Sequence, residues 1–84
     1  MFYIYILKSK INGAYYVGST KNICIRLKMH NNSLVKSTKR YMPWEVIYSE
    51  KFPSLSDARN RELQIKSWKK RLAIERLINT NTGV

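Results

Sequence analysis

The sequence predicts a small α/β domain of the α+β type, with a central three-stranded antiparallel sheet flanked by helices in the order β-β-α-β-α(α). Residues 2–8 are rich in aromatic and β-branched side chains, which favour a strand. The Asn12-Gly13 pair that follows is a strong hairpin signal, because both residues accept positive φ. Apolar residues recur at helical spacing in the second half of the chain. With 84 residues the chain is expected to form one domain, residues 1–84.

The hairpin can be given a register. If Asn12-Gly13 is a two-residue loop, residues 14–18 form the second strand and Leu7 lies opposite Gly18. The face expected to be the better core holds Phe2, Ile4, Ile6, Tyr15 and Val17. The opposite face holds Tyr3, Tyr5, Leu7, Tyr16 and Gly18. Two phenols are thus expected to meet beside a glycine that leaves room above the sheet.

The middle of the chain predicts a helix, a loop and a strand. Ser19 or Thr20 can cap a helix that covers about residues 21–31. The polar and basic stretch that ends at Pro43 is expected to be a loop. Residues 44–50 alternate as a third strand, and the residues placed together on one of its faces are Trp44, Val46 and Tyr48.

A second helix is predicted to begin at Ser54 and to run to about residue 70, with Asp57 at its positive end. Residues 72–78 continue it or form a short final helix. Glu62 falls inside the apolar stripe of this helix, where a carboxylate is costly unless a cation compensates it. The stripe consists of Leu55, Ala58, Ile65, Trp68 and Leu72.

The charge of the chain indicates its partner. There are 16 Lys and Arg against 5 Asp and Glu, a net charge of +11, which is typical of proteins that bind polyanions such as nucleic acid. A solvated surface kept soluble by charge is the alternative. Cys24 is the only cysteine, so neither an internal disulfide nor a cysteine zinc finger is expected. No segment is apolar over the length of a membrane helix. We expect a reduced, cytoplasmic protein, a monomer or weak dimer, that does not enter membranes.

Two short motifs stand out, Tyr3-Ile4-Tyr5 and Tyr16-Val17-Gly18, with ten residues between Tyr5 and Tyr16. The pattern over about residues 2–78 resembles the GIY-YIG nuclease superfamily, and most closely its short stand-alone bacterial branch, which is similar to the nuclease domain of the excision-repair nuclease. Tyr3 departs from the family's first glycine. Further matches lie at residues 18–23, 26–27, 30–31, 43–44, 46–48, 58, 61–62 and 65–68.

The resemblance implies a metal-dependent endonuclease that cuts DNA in repair or processing. Glu62 would bind one Mg²⁺ or Mn²⁺, and Tyr5 would take a proton from the attacking water. Tyr16 would position phosphate or water, Arg26 would clamp the scissile phosphate, and His30, at i+4 from Arg26, would relay protons with a tyrosine. The residues assigned to nucleic-acid binding are Gly18, Lys39, Arg40, Lys66 and Lys69.

Each residue also has a plainer interpretation. The two tyrosines can be ordinary sheet aromatics, Arg26 a solvated helix charge, and His30 a cap on the first helix. Glu62 can simply pair with Lys66 at i+4. The whole chain can be a nucleic-acid-binding module that does not cut. Some members of the family also place a C-terminal asparagine near the site, and no motif assigns that position to Asn79 or Asn81.

Overall fold

β1 is the central strand of a three-stranded sheet with the order β2-β1-β3. The predicted three-stranded antiparallel sheet and the order of the elements along the chain are confirmed. The computed structural model describes residues 1–82, and the side chains of residues 1–79. No helix in that part of the chain is both long and apolar enough to cross a bilayer. A short 3-10 turn covers Lys39–Tyr41. The strands and helices are β1 (Phe2–Ser9), β2 (Tyr15–Thr20), α1 (Ile23–Asn31), β3 (Trp44–Phe52), α2 (Leu55–Ser67) and α3 (Arg71–Thr82).

The predicted two-residue hairpin loop is wrong, because the register is shifted by two residues. Leu7 lies opposite Tyr16, and Tyr5 lies opposite Gly18. The Ser9 hydroxyl accepts the backbone N–H groups of Ile11 and Asn12, at 3.1 and 3.3 Å, and thereby holds a longer loop. A shift of two residues preserves the alternation of side chains, so both faces keep their predicted members.

Helix α1 begins later than predicted. Neither Ser19 nor Thr20 is its cap, because both belong to β2. Asn22 is the N-cap instead, and its Oδ1 atom accepts the N–H of Ile25 at 3.0 Å. The helix therefore starts at Ile23, and its last full turn carries His30 under the sheet.

The prediction that Trp44, Val46 and Tyr48 share a face is also wrong. Ile6 pairs with Tyr48 while Leu7 pairs with Val46, so Ile47 is an extra residue in β3. Such a bulge reverses the alternation beyond it. Trp44 and Val46 consequently pack on the Tyr5 face, and Tyr48 packs on the opposite face.

Both faces of the sheet are buried, although only one was expected to be a good core. On the first face, Ala58 and Ile65 of α2 pack against β1 and β2. On the second, Tyr5 and Leu7 are fully buried beneath α1 and the segment that precedes β3. Leu72 of the predicted stripe is exposed, since the stripe ends where α2 gives way to α3 after Ser67, and Leu55, the first residue of α2, is exposed as well.

Candidate active site

A pocket opens at the β2 edge of the sheet, between the second face and α2. Four of the five residues expected in the site line it together: Tyr5, Tyr16, Arg26 and Glu62. They come from β1, β2, α1 and α2, so the sheet contributes two of the side chains and each of these two helices contributes one. The remaining lining residues are Gly18, Ser19, Arg59 and Leu63.

Gly18 is needed because the Tyr5 ring lies directly against it. A Cβ atom added at Gly18 would be 2.5 Å from the Tyr5 hydroxyl oxygen and 2.7 Å from Cζ. Tyr5 is only 1% exposed, so its ring has nowhere to move. Gly18 thus acts on Tyr5 by leaving space for it.

His30 lies behind Tyr5 rather than in the pocket. Its Nε2 atom is 3.0 Å from the Tyr5 hydroxyl, and its Nδ1 atom is 2.7 Å from the Thr38 hydroxyl. Thr38 donates to the carbonyl of Val35 at 3.3 Å, so it accepts the Nδ1–H of the imidazole. Nε2 then carries the lone pair, and Tyr5 donates to it. Both ring nitrogens are used, so the expected alternative of a helix cap does not hold.

Burial shifts the pKa values of Tyr5 and His30 in opposite directions. It raises the pKa of the Tyr5 phenol, and the neighbouring Arg26 guanidinium opposes that rise. Burial lowers the pKa of His30 to about 4, and the charge of Arg26 acts in the same direction. At neutral pH the phenol therefore keeps its proton and the imidazole is neutral.

Arg26 faces both phenols, and its contact with them raises its own pKa. Its Nε atom is buried and has no hydrogen-bond partner among the described residues. A buried donor without an acceptor is costly, and a phosphate oxygen is a suitable acceptor for it. Arg59 adds a second guanidinium to the same pocket.

Glu62 is the carboxylate of this pocket, and its side chain is 17% exposed. Its Oε2 atom is 2.5 Å from Lys66 Nζ, so the predicted i,i+4 pair forms. Lys66 also lies over the Tyr16 ring, 6.0 Å from its centre. The carboxylate is thus held at the mouth of the pocket by a lysine that is itself half-exposed.

The other residues assigned from the sequence lie elsewhere. Lys39 and Arg40 are exposed on the 3-10 turn and do not line this pocket. Lys69 lines a neighbouring groove. Asn79 contributes to a pocket against β3, away from Tyr5, and the side chain of Asn81 lies outside the described residues.

Arg59 is a site residue that was not predicted from the sequence, although the sequence contains a signal for it. Arg59 and Glu62 are at i and i+3 on one helix, a spacing that places two side chains next to each other. A helix that places Glu62 in the site therefore places Arg59 there as well.

We expect Gly18→Ala to displace the Tyr5 hydroxyl and to break its hydrogen bond with His30. Overpacking of this kind costs about 1–3 kcal/mol, which urea unfolding will measure. Nucleic-acid cleavage should fall at least about 100-fold, because a misplacement of about 1 Å has that effect. Gly13→Ala is the control: Gly13 has φ +74°, so alanine there also costs stability but leaves Tyr5 in place. Equal cleavage by the two variants would contradict the role given to Gly18.

We expect the free energy of unfolding to fall by up to about 3 kcal/mol as the pH is lowered from 6.5 toward 4. His30 takes up a proton near pH 6.5 when unfolded and near pH 4 when folded. Its contribution is therefore complete above pH 6.5 and is lost on acidification, because the unfolded state then binds more protons. Urea unfolding between pH 7 and pH 4.5 measures it, with His30→Gln as the comparison.

Glu50 is another partly buried group whose protonation affects stability, so its effect has to be separated from that of His30. Burial alone would raise the pKa of Glu50, but hydrogen bonds from Arg61 and Tyr48 outweigh burial and lower it from its ordinary value, so most of the stability that Glu50 contributes is lost only at lower pH than that of His30. Parallel slopes for the wild type and His30→Gln would show that His30 is not the group responsible.

Comparison with known proteins identifies the domain. A sequence profile of the GIY-YIG catalytic domain matches residues 1–77. The chain belongs to the GIY-YIG family. GIY-YIG domains are nuclease-type hydrolases that act on nucleic acid, which agrees with the charge of the chain.

Bacterial proteins resemble this GIY-YIG domain over most of its length. The UPF0213 protein of Staphylococcus saprophyticus is 42% identical over 67 residues, which cover 79% of this chain and 80% of that protein. The UPF0213 protein of Streptococcus pneumoniae is 34% identical over 80 residues, covering 94% and 79%. The solution NMR structure of the UPF0213 protein of Bacillus halodurans superposes with a TM-score of 0.60 at 30% identity, covering 95% of this chain and 85% of that one.

The pocket of this GIY-YIG domain can be tested for its fit to a metal ion. Among the described residues, no three His, Cys, Asp or Glu side chains come together. A metal site with three or more such ligands from the protein is thus absent from the described residues. Mg²⁺ and Mn²⁺ accept one carboxylate when water and phosphate oxygens supply the other ligands. Glu62, at the mouth of a cationic pocket, fits that donor set.

Proposed function

We propose that this protein is a metal-dependent endonuclease that hydrolyses phosphodiester bonds in DNA, with a role in DNA repair or processing. The observation that carries the proposal is the pocket at the β2 edge, where two phenols, two guanidinium groups and one carboxylate line a single cavity. Hydrolysis of a phosphodiester needs an acceptor for the proton of the attacking water and positive charge beside the phosphate. The side chains of this pocket offer both.

Tyr5 is the proposed general base. As the water oxygen forms its bond to phosphorus, its O–H bond breaks and the proton moves to the Tyr5 oxygen. The proton that Tyr5 carried passes at the same time along its 3.0 Å hydrogen bond to Nε2 of His30. The bond from phosphorus to the leaving oxygen then breaks, and that oxygen takes a proton from solvent.

This relay accounts for a tyrosine that acts as a base although its pKa is raised. Tyr5 need not be ionised beforehand, because it gives up one proton while it accepts another. Thr38 keeps the Nδ1–H of His30 in place, so the acceptor nitrogen always faces Tyr5. The low pKa of His30 then favours return of its proton to Tyr5 after each cycle, while Tyr5 releases to solvent the proton that it took from the water.

Arg26 and Arg59 are the proposed phosphate ligands. The buried Nε–H of Arg26 lacks an acceptor among the described residues, so a phosphate oxygen would satisfy it. Tyr16 lines the same wall and would orient the phosphate or the water. Charge that develops on the phosphate oxygens is thus met by groups already in position.

Glu62 is the residue that would hold a divalent cation. Mg²⁺ or Mn²⁺ bound there would supply Lewis-acid stabilisation of the charge on the phosphate. The chain's own contribution is to keep the carboxylate at the pocket mouth through α2, whose buried residues Ala58 and Ile65 lie at i−4 and i+3 from Glu62.

Incubation of purified protein with labelled duplex, flap and single-stranded DNA, and with RNA, tests the proposal. We expect cleavage with Mg²⁺ or Mn²⁺ and none with EDTA. A module that only binds nucleic acid would give salt-sensitive binding that is indifferent to the metal beyond ionic strength. Binding without cleavage of any substrate would overturn the nuclease assignment.

A further inference from the structure

A second groove lies beside the pocket, along the free edge of β2. It has a volume of about 510 Å³. Residues from both faces of β2 line it, so it follows the strand's edge and not one face. Tyr16 lines both cavities, and Lys66 connects the groove to Glu62.

The groove has an apolar floor and a cationic rim. Its floor is made by the partly buried side chains of Tyr15 and Ile74, which lie beside the buried Val17 and Ile65. The Arg71 guanidinium lies 4.3 Å from the centre of the Tyr15 ring, and Glu75 holds both side chains by hydrogen bonds. The Tyr15 ring and the Arg71 guanidinium are thus held together as a stacked pair before any ligand arrives.

The rim carries positive charge that no ion pair with a described residue neutralises. Lys69 and Lys70 are exposed, and neither forms an ion pair with a residue that the structure describes. Lys69 has φ +55°, in the left-handed region that favours glycine. Lys69 therefore occupies a position whose backbone conformation is unfavourable for lysine.

We propose that this groove binds an unpaired nucleotide next to the scissile phosphate, with its base on the apolar floor and its phosphate on the lysine rim. The proposal rests on the proposed nuclease function. In a continuous duplex the bases are stacked inside, so an intact duplex presents phosphates and base edges but no base face that could lie on the floor. An unpaired base has a free π-face, and such a face stacks on the guanidinium plane of an arginine such as Arg71 as well as on aromatic rings. The substrate class is thus nucleic acid with an unpaired nucleotide at the cut.

Fluorescence anisotropy in EDTA tests the groove without cleavage. The probes are a labelled 12-nucleotide single strand and a labelled 12-base-pair duplex. We expect wild-type protein to bind the single strand more tightly at equal salt, although the duplex has the higher charge density. Lys70→Gln should bind the single strand several-fold more weakly, and its slope of log affinity against log salt should become shallower by about 0.7, the value for one lost phosphate contact. The loss for the duplex should be much smaller.

Two variants separate charge from folding. Lys69→Gly removes the charge but suits the left-handed backbone, so it should bind the single strand more weakly while its thermal midpoint stays the same or rises. Lys51→Gln removes one exposed charge from β3, the strand on the far side of the sheet, and should match the wild type. Equal losses for single strand and duplex, or no loss, would overturn the groove assignment.

The two proposals fail in different ways. If the variants lose single-strand binding but the wild type cuts nothing with Mg²⁺, the groove binds an unpaired nucleotide and the nuclease assignment is wrong. If cleavage occurs but duplex binds best and the variants behave as wild type, the groove assignment alone is wrong. A third result would also overturn the groove assignment. In it, the protein sediments with phosphatidylglycerol vesicles in a way that depends on Lys69 and Lys70, and it binds the single strand and the duplex equally.

Discussion

Glu62→Gln is expected to abolish metal-dependent cleavage, with a loss of at least about 1,000-fold. Glutamine keeps the size of the side chain but lacks the negative charge that a divalent cation requires, and metal catalysis is worth several kcal/mol, at about 1.4 kcal/mol for each tenfold change. Folding should be nearly unaffected, because the pair with half-exposed Lys66 is worth less than about 1 kcal/mol. Nucleic-acid binding should stay the same or tighten, because a negative charge leaves a cationic pocket. Cleavage, anisotropy and thermal midpoint on one preparation measure all three.

Glu45→Gln is the matched control for Glu62→Gln. Glu45 is exposed on β3 and lies 4.0 Å from Lys10, so its replacement also removes one carboxylate from a lysine pair. We expect this variant to cut at the wild-type rate. A folded Glu62→Gln protein that cuts as fast as Glu45→Gln would end the assignment of the metal to Glu62.

Tyr5→Phe is expected to reduce cleavage by about 10²–10⁴-fold, the usual contribution of a positioned general base. The ring still fills its place against Gly18, and only the hydroxyl is lost. His30 Nε2 is then left without its donor, which costs about 1–3 kcal/mol of stability. Single-turnover cleavage with saturating protein separates this effect from binding, which should be unchanged.

The control for Tyr5→Phe is Tyr48→Phe, on the opposite face of the sheet. Tyr48 is also buried and also donates through its hydroxyl, to Glu50, so its variant should lose comparable stability without losing cleavage. If both variants lose cleavage in proportion to their stability, Tyr5 is a structural residue.

The arrangement of strands and helices could be predicted from the sequence, because each element has a local signal. The alternation of side chains in β1 and β2 survives the wrong register, since an error of two residues leaves every side chain on its own face. The register itself depends on the Ser9 hydroxyl, which bonds two backbone N–H groups of the loop. The bulge at Ile47 has no signal in the residue types of β3, so the face of Tyr48 could not be predicted.

The candidate site could be predicted only as a set of residues, not as an arrangement. Motif spacing selected Tyr5, Tyr16, Arg26 and Glu62, and α-helical spacing placed His30 near Arg26. Nothing in the sequence indicates that His30 is fully buried behind Tyr5, because that depends on how α1 packs against the second face. The direction of the hydrogen bonds depends on Thr38, from a segment whose sequence indicates only a loop.

The contact between Gly18 and Tyr5 makes the two positions mutationally dependent on each other. Alanine at position 18 meets both the hydroxyl oxygen and Cζ of Tyr5, so phenylalanine at position 5 removes one of the two clashes and leaves the other. The cost of Gly18→Ala is therefore smaller in a Tyr5→Phe background, and the double variant is more stable than the sum of the single changes implies. A lineage in which phenylalanine has replaced Tyr5 could then accept a side chain at position 18. Once that side chain is present, a return to tyrosine at position 5 would be destabilising.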